Sequence, residues 1–269
     1  MAPASSHASA TTKLRSTGSK PVPDPVLSIR GLEKRFVLHA VDGRIVDGLC
    51  GVDLDVFPNE HVCLAGTSGA GKSSLLKAVH RTYVADAGTV HYRTANGEVI
   101  DLLGLGDADM ADLRAAEIGY VSQFLRAEPR RGVLDVVARA AIRMGVTPDE
   151  AKDRAATVLR RVNIDDRLWA TYPSLLSGGE KQRVNIAAGM IVAPRLLLLD
   201  EPVSALDPAN RASVLDDLTE RGSTVLSVFH DLPAIRQLAD RVVVMARGRI
   251  IDEGTAEEVL QRGKELVPA

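Results

Sequence analysis

Between His61 and Val79 the chain places a strand, a glycine-rich loop and a helix start in unbroken register. His61-Val-Cys-Leu-Ala65 is apolar enough for a short buried strand. Lys72-Ser-Ser-Leu-Leu-Lys-Ala-Val79 carries apolar residues at helical spacing. The residues between, Gly66, Thr67, Ser68, Gly69, Ala70, Gly71, Lys72 and Ser73, match G-x-x-x-x-G-K-[ST], with Ser74 next. Glycines let the backbone curl so that successive N–H groups point inward at phosphate oxygens. The helix N-terminus adds unsatisfied N–H groups and the positive end of its dipole. Lys72 brings a mobile charge to the β- and γ-phosphates of a nucleoside triphosphate, and the Ser73 hydroxyl is placed for Mg²⁺. A merely flexible turn would explain the glycines but not the lysine and serine at these spacings.

Two later stretches add acids and a second anion site. In Arg195-Leu-Leu-Leu-Leu-Asp200-Glu201-Pro202, four leucines without alternation predict a strand buried on both faces, as in a parallel sheet. Two carboxylates at its end fall on the ligand edge of such a sheet. Asp200 suits Mg²⁺, directly or through water, and Glu201 suits a base that polarises an attacking water. A helix N-cap would account for one of these acids, not two. In Leu176-Ser-Gly-Gly-Glu180, Ser177 and Glu180 form an S-x-x-E capping box, so a helix is expected from here to about Val192. Gly178 and Gly179 leave its first amides bare, which makes an anion site. Thr224-Val-Leu-Ser-Val-Phe229 predicts another buried strand, ending in His230-Asp231, with Pro233 opening a helix. A lone histidine is usually structural; at this strand end His230 becomes a γ-phosphate contact.

The rest supplies the frame. Residues 1–25, rich in Ser, Thr, Ala and Pro, lack the apolar stretch of a signal peptide and are expected to be a disordered tail; 263–269 form a second tail. Val26–Arg30 predicts the first strand, and Asp42-Gly43 and Asp47-Gly48 predict turns of hairpins over 37–57. Phe36 can stack on a purine ring, although an aromatic is more often core. A hairpin around Asn96-Gly97, a short helix within 104–117, a strand from Ile118 ending at Gln123, and helices from Val133 to Val162 broken near Pro148 follow. Arg241–Met245 and Ile250-Ile251 predict a final hairpin before a short helix over 255–262. A net charge of −2 gives no drive toward nucleic acid, and no apolar run approaches the ~20 residues of a bilayer span, so a membrane role must come from a partner. Cys50 and Cys63 are too few for a disulfide framework, which fits reduced thiols in the cytoplasm.

The order of phosphate loop, Gln123, Leu-Ser-Gly-Gly-Glu180, Leu-Leu-Leu-Leu-Asp-Glu-Pro202, Ser204-Ala-Leu-Asp207 and His230 resembles the ABC ATPases over about 26–262. The resemblance implies an α/β, RecA-like P-loop NTPase core with an antiparallel β subdomain and an α-helical subdomain over about 124–180. It implies an ATPase using ATP and Mg²⁺. Catalysis would rest on Glu201, His230 and Gln123, the metal on Ser73, Gln123 and Asp200. It also implies two copies, or related subunits, facing head to tail, each nucleotide lying between one phosphate loop and Ser177–Glu180 of the other, with Asp207 in the same interface. Val121-Ser-Gln-Phe-Leu-Arg126, Arg167-Leu-Trp169, Asn185 and Phe229-His-Asp231 are similar to the ATP-binding subunit of the bacterial carbon–phosphorus lyase system, which implies lyase subunits as partners in phosphonate catabolism. The tail from Val242 to Gly254 instead resembles a transporter ATPase, whose partner would be a membrane subunit. In either case Phe124, Leu125 and Arg126 would contact the partner. A slow nucleotide-gated clamp is a third reading, opposed by the intact Glu201 and His230; a duplicated two-domain factor is excluded by the single motif set.

Overall fold

The structure is a computed structural model, described over residues 23–38, 44–122, 125, 130–220 and 222–263, without the side chains of Leu38 and Arg44. Among the described residues two sheets are built. The first is antiparallel, in the order β2 (Arg44–Val56), β1 (Leu27–Leu38), β4 (Ala87–Arg93), β5 (Val99–Asp101). The second runs β10 (Arg249–Gly254), β9 (Arg241–Ala246), β3 (His61–Ala65), β8 (Thr224–Val228), β7 (Leu196–Asp200), β6 (Ile118–Val121), parallel except for the β9–β10 hairpin. The helices are α1 (Lys72–Val79), α2 (Asp107–Ala116), α3 (Val133–Arg143), α4 (Pro148–Arg161), α5 (Gly178–Met190), α6 (Pro208–Glu220), α7 (Leu232–Leu238) and α8 (Ala256–Gln261). This is the arrangement that the resemblance implies: a mixed α/β core, an antiparallel sheet and a helical part.

The unbroken leucines of β7 have the expected cause. Leu196 and Leu198 enter one core, with α1 and the antiparallel sheet; Leu197 and Leu199 enter the other, with α3, α4 and α5. Strands β3, β8 and β9 divide their side chains in the same way. Both faces of the parallel sheet are therefore covered, and none of its central strands needs a polar side. Truncating one such leucine to alanine should cost about 2–5 kcal/mol.

Two glycines set how closely α5 lies on β6. A Cβ on Gly119 would stand 2.8 Å from the Gly189 carbonyl oxygen, and one on Gly189 would stand 2.6 Å from Val121 Cγ2. The end of β6 is also held by Asn185, whose side-chain amide donates to the Ser122 carbonyl at 2.5 Å. The break in the helical region is a true helix start: the Thr147 hydroxyl accepts from Glu150 N–H and Pro148 takes the first helical position.

Some expectations change. Asp47-Gly48 is not a turn but lies inside β2, with Asp47 paired to Arg35 of β1. Gly48 is there for closeness: a Cβ would stand 2.4 Å from the ring of Phe36. Asp42-Gly43 lies outside the described residues, as do residues 1–22, Gln123, Phe124, Arg126 and 264–269. Asp24, expected in the tail, pairs with Arg93 at 3.1 Å. Helix α5 stops at Met190 rather than Val192. No helix among the described residues is long and apolar enough to cross a membrane.

Candidate active site

The parallel sheet brings the separated motifs to one edge. The phosphate loop leaves the carboxyl end of β3, Asp200 and Glu201 close β7, and His230 follows β8. A cavity of about 300 Å³ is lined there by Ser68, Gly69, Ala70, Gly71, Lys72, Ser73 and Ser74, by Glu201 and His230, and by Phe36, Val46, Asp47 and Gly48 of the antiparallel sheet. Phe36 therefore reaches the rim of the cavity, its ring set edge-on to Tyr83 at 5.1 Å.

The loop's curl requires its glycines. Gly66 and Gly71 have φ of 126° and 106°, and a Cβ on them would stand 2.2 Å from the Met245 carbonyl oxygen and 2.5 Å from that of Gly48. Gly69 has a φ of 77° with open space around its Cα. The Lys72 ammonium is buried, donating to the carbonyls of Gly66 at 2.6 Å and Thr67 at 3.0 Å. Burial pushes it below the usual lysine range; Glu201, Cys63 and Asp200 oppose that shift. A lysine held on loop carbonyls this way can exchange them for phosphate oxygens, which are better acceptors.

At the sheet edge the Ser73 hydroxyl donates to Asp200 Oδ1 at 2.7 Å. Among the described residues no group of three His, Cys, Asp or Glu side chains could hold a metal. One hydroxyl and one carboxylate nevertheless fit Mg²⁺, which is commonly bound by one or two protein oxygens with phosphate and water completing its shell. Glu201 adopts a left-handed backbone, φ 54°, unusual for a glutamate. Its N–H donates to the Val228 carbonyl at 3.1 Å, and its Oε1 lies 2.6 Å from His230 Nε2. The strained turn thus aims the carboxylate across to the β8 terminus, and strain of this kind costs about 1–3 kcal/mol.

The second group of predicted residues lies elsewhere. The lining of this cavity includes neither Ser177, Gly178, Gly179 and Glu180 nor Asp207. The capping box is formed: Ser177 N–H and Oγ–H both donate to Glu180 Oε2 at 2.8 Å, and Glu180 N–H returns to Ser177 Oγ. Those bonds hold the Glu180 carboxyl below the usual range. The box engages the amides of Ser177 and Glu180, as the sequence predicts, and those of Gly178 and Gly179 are what the helix end offers. Asp207 caps α6 by accepting from the N–H and the side-chain amide of Asn210.

Other contacts at the site carried no sequence signal. The Gln182 amide donates to the Pro202 carbonyl at 2.9 Å, tying α5 to the turn after Glu201. Arg211 pairs with Asp231 at 3.3 Å, beside His230. The Tyr120 hydroxyl donates to Asp200 Oδ2 at 3.2 Å. These partners stand 20 to 80 residues apart in the chain, so only the fold brings them together. Cys63 is buried, and its thiol is pushed up to about 12 by that burial, which leaves it inert.

Comparison with known proteins agrees with the geometry. Residues 49–204, more than half of the chain, match the family model described as ABC transporter. The chain is 36% identical over 220 residues to the glutamine transport ATP-binding protein GlnQ of Geobacillus stearothermophilus, covering 80% of this chain and 87% of that protein. It is 36% identical to the arginine transport ATP-binding protein ArgV of Corynebacterium glutamicum, covering 83% and 90%. Among solved structures it superposes on the dimeric post-hydrolysis state of the ATP-binding cassette MJ0796 bound to ADP and Pi, with a TM-score of 0.77 and 27% identity over 85% of this chain and 98% of that one. The chain belongs to the ABC transporter family and is an ABC-type ATPase.

Proposed function

We propose that this chain is the ATP-hydrolysing subunit of an ABC importer, working at the cytoplasmic side of a separate membrane subunit. The observation that carries the partner half of this reading is a second, larger cleft of about 930 Å³ between the core and the helical part. Arg114, Arg131, Arg139 and Arg143 line it together with the apolar Leu125 and Val136. Mixed apolar and cationic surface of this kind suits a protein partner. Leu125, which the sequence assigns to partner contact, is itself part of the cleft lining. The relatives named above are transport ATP-binding proteins for different cargoes, glutamine and arginine, so cargo choice is assigned to the membrane subunit.

In this reading the loop amides and Lys72 hold the triphosphate of ATP while Phe36 flanks the base. Ser73 and Asp200, with Gln123, would hold Mg²⁺, which supplies charge neutralisation at the β- and γ-phosphates. Glu201 accepts a proton from the attacking water, and His230 fixes the orientation of that carboxylate. The Gly178 and Gly179 amides lie outside the nucleotide cavity of their own chain, so a second copy, placed head to tail, is the partner that gives them a phosphate; the dimeric MJ0796 cassette supports the pairing of two copies.

The lyase-system reading is weaker on physical grounds. Two residues that carry it have work inside the chain: Asn185 holds the end of β6, and Trp169 donates to the Ile164 carbonyl at 3.3 Å beneath Arg160. Neither needs a lyase partner to explain it. Affinity purification of the full chain from its native cells decides the matter. An integral membrane protein that co-purifies and is lost with Arg139→Glu/Arg143→Glu supports the importer. Soluble lyase subunits in its place overturn it.

A further inference from the structure

Asp200 is 5% exposed, and a carboxylate buried to that degree needs donors. Ser73 satisfies Oδ1 at 2.7 Å. Oδ2 is met by Tyr120, from the neighbouring strand β6, at 3.2 Å. The Tyr120 ring is stacked against the imidazole of His80, with centroids 4.6 Å apart and planes 24° from parallel. His80 caps the C-terminus of α1, the helix that begins at Lys72 and Ser73. The contacts therefore close a ring: Ser73 at one end of α1 and His80 at its other end both act on Asp200, one directly and one through Tyr120. His80 is itself fixed, its Nδ1 lying 2.9 Å from the Thr82 hydroxyl. Asp200, Tyr120 and His80 all line the larger cleft, whereas Ser73 faces the nucleotide cavity.

We propose that Tyr120, clamped by His80, is a positioning residue that orients the Asp200 carboxylate for Mg²⁺. The inference rests on the reading of Asp200 as a metal-holding carboxylate. A Ser73 hydroxyl that turns an oxygen lone pair to a metal can keep its O–H bond to Oδ1, while Tyr120 holds Oδ2, so the two donors together fix the carboxylate. Partners that orient a ligating carboxylate are typically worth 10–100-fold in metal affinity. The 3.2 Å distance is long for an O–H···O bond, which places the effect at the low end.

The test uses Mn²⁺ in place of Mg²⁺ and follows its binding to the protein–ATP complex by electron paramagnetic resonance. Tyr120→Phe should weaken Mn²⁺ affinity about tenfold. Its nucleotide affinity in EDTA should stay at the wild-type value. His80→Ala, which removes the stack together with the Thr82 contact, should weaken Mn²⁺ about two- to threefold, and His80→Phe, which returns the ring without that contact, should restore it. Asp200→Asn separates the two levels of the argument. If Asp200→Asn leaves Mn²⁺ binding intact, the reading of the metal site fails. If Asp200→Asn abolishes it while Tyr120→Phe matches wild type, the positioning role fails alone. Equal losses in EDTA and in Mn²⁺ for Tyr120→Phe would make the residue structural and overturn the proposal. Should Tyr120→Phe not fold, the His80 pair decides: unchanged Mn²⁺ affinity in His80→Ala overturns it.

Discussion

Lys72→Ala separates a lysine that serves a ligand from one that serves the fold. Lys72 is 6% exposed and donates to two loop carbonyls, at 2.6 and 3.0 Å. Losing those donors costs about 1 kcal/mol each. The opposing effect has a definite sign. The ammonium's pKa is depressed in the folded state, so at neutral pH the charged lysine works against folding, and its removal relieves that cost. The two effects oppose, so the net cost lies below the ~2 kcal/mol of the two lost donors, a melting shift below about 8 °C for a chain of this size. ATP binding has no such offset. A charge-assisted bond to phosphate contributes about 1.5–3 kcal/mol, so affinity should fall by about 10–150-fold. Titration with a fluorescent ATP analogue reads the second number and differential scanning fluorimetry the first. Affinity within about twofold of wild type, at an unchanged melting temperature, would refute the assignment of this loop. A melting temperature lower by 10 °C or more, roughly 3 kcal/mol, would refute the offset and make Lys72 structural.

Three further outcomes are expected. His80 sits at about 4 in the folded protein against 6.5 ordinarily, because burial and then Arg114 disfavour its cation; the unfolded chain therefore binds a proton that the folded one refuses, and stability falls as pH drops from about 6.5 toward 4. His80→Gln should flatten that fall by about 2–3 kcal/mol in urea melts against pH, leaving the part due to His61, and an unchanged slope would contradict it. Gly119→Ala places a Cβ within 3 Å of Pro194, Gly189 and Leu197, and should cost about 1–3 kcal/mol by lifting α5 from β6; an unshifted urea midpoint would show that α5 can move freely. Ser177→Ala removes the capping hydroxyl and should cost about 1 kcal/mol by the same measurement, whereas Ser177→Asp, also a good cap, should recover most of it.

Much of this site is legible in the chain because its parts are local. The phosphate loop needs only its own glycines and the strand and helix beside it. The β7 leucines announce two covered faces, and the serine–glutamate spacing announces the start of α5. What stays hidden depends on neighbours far off in sequence. Asp47-Gly48 has the composition of a turn, yet the glycine is there so that Phe36 can lie against the backbone of β2. Nothing near Glu201 reports its left-handed φ, which the Val228 and His230 contacts impose. Tyr120 looks like one more apolar strand residue until β6 is set beside β7. The partner was legible least of all, because Asn185 and Trp169 carry family resemblance while serving internal packing.

The central claim is that Glu201 is the base of an ATP hydrolysis carried out on the phosphate loop. Single-turnover hydrolysis by Glu201→Gln tests it most directly. The amide is nearly isosteric, can still bond to His230, and cannot take a proton. Hydrolysis should slow by about 10²–10⁴-fold. ATP affinity should hold at the wild-type value, and an ATP-bound dimer should accumulate on size exclusion with Mg-ATP. Wild-type turnover in Glu201→Gln would contradict the account.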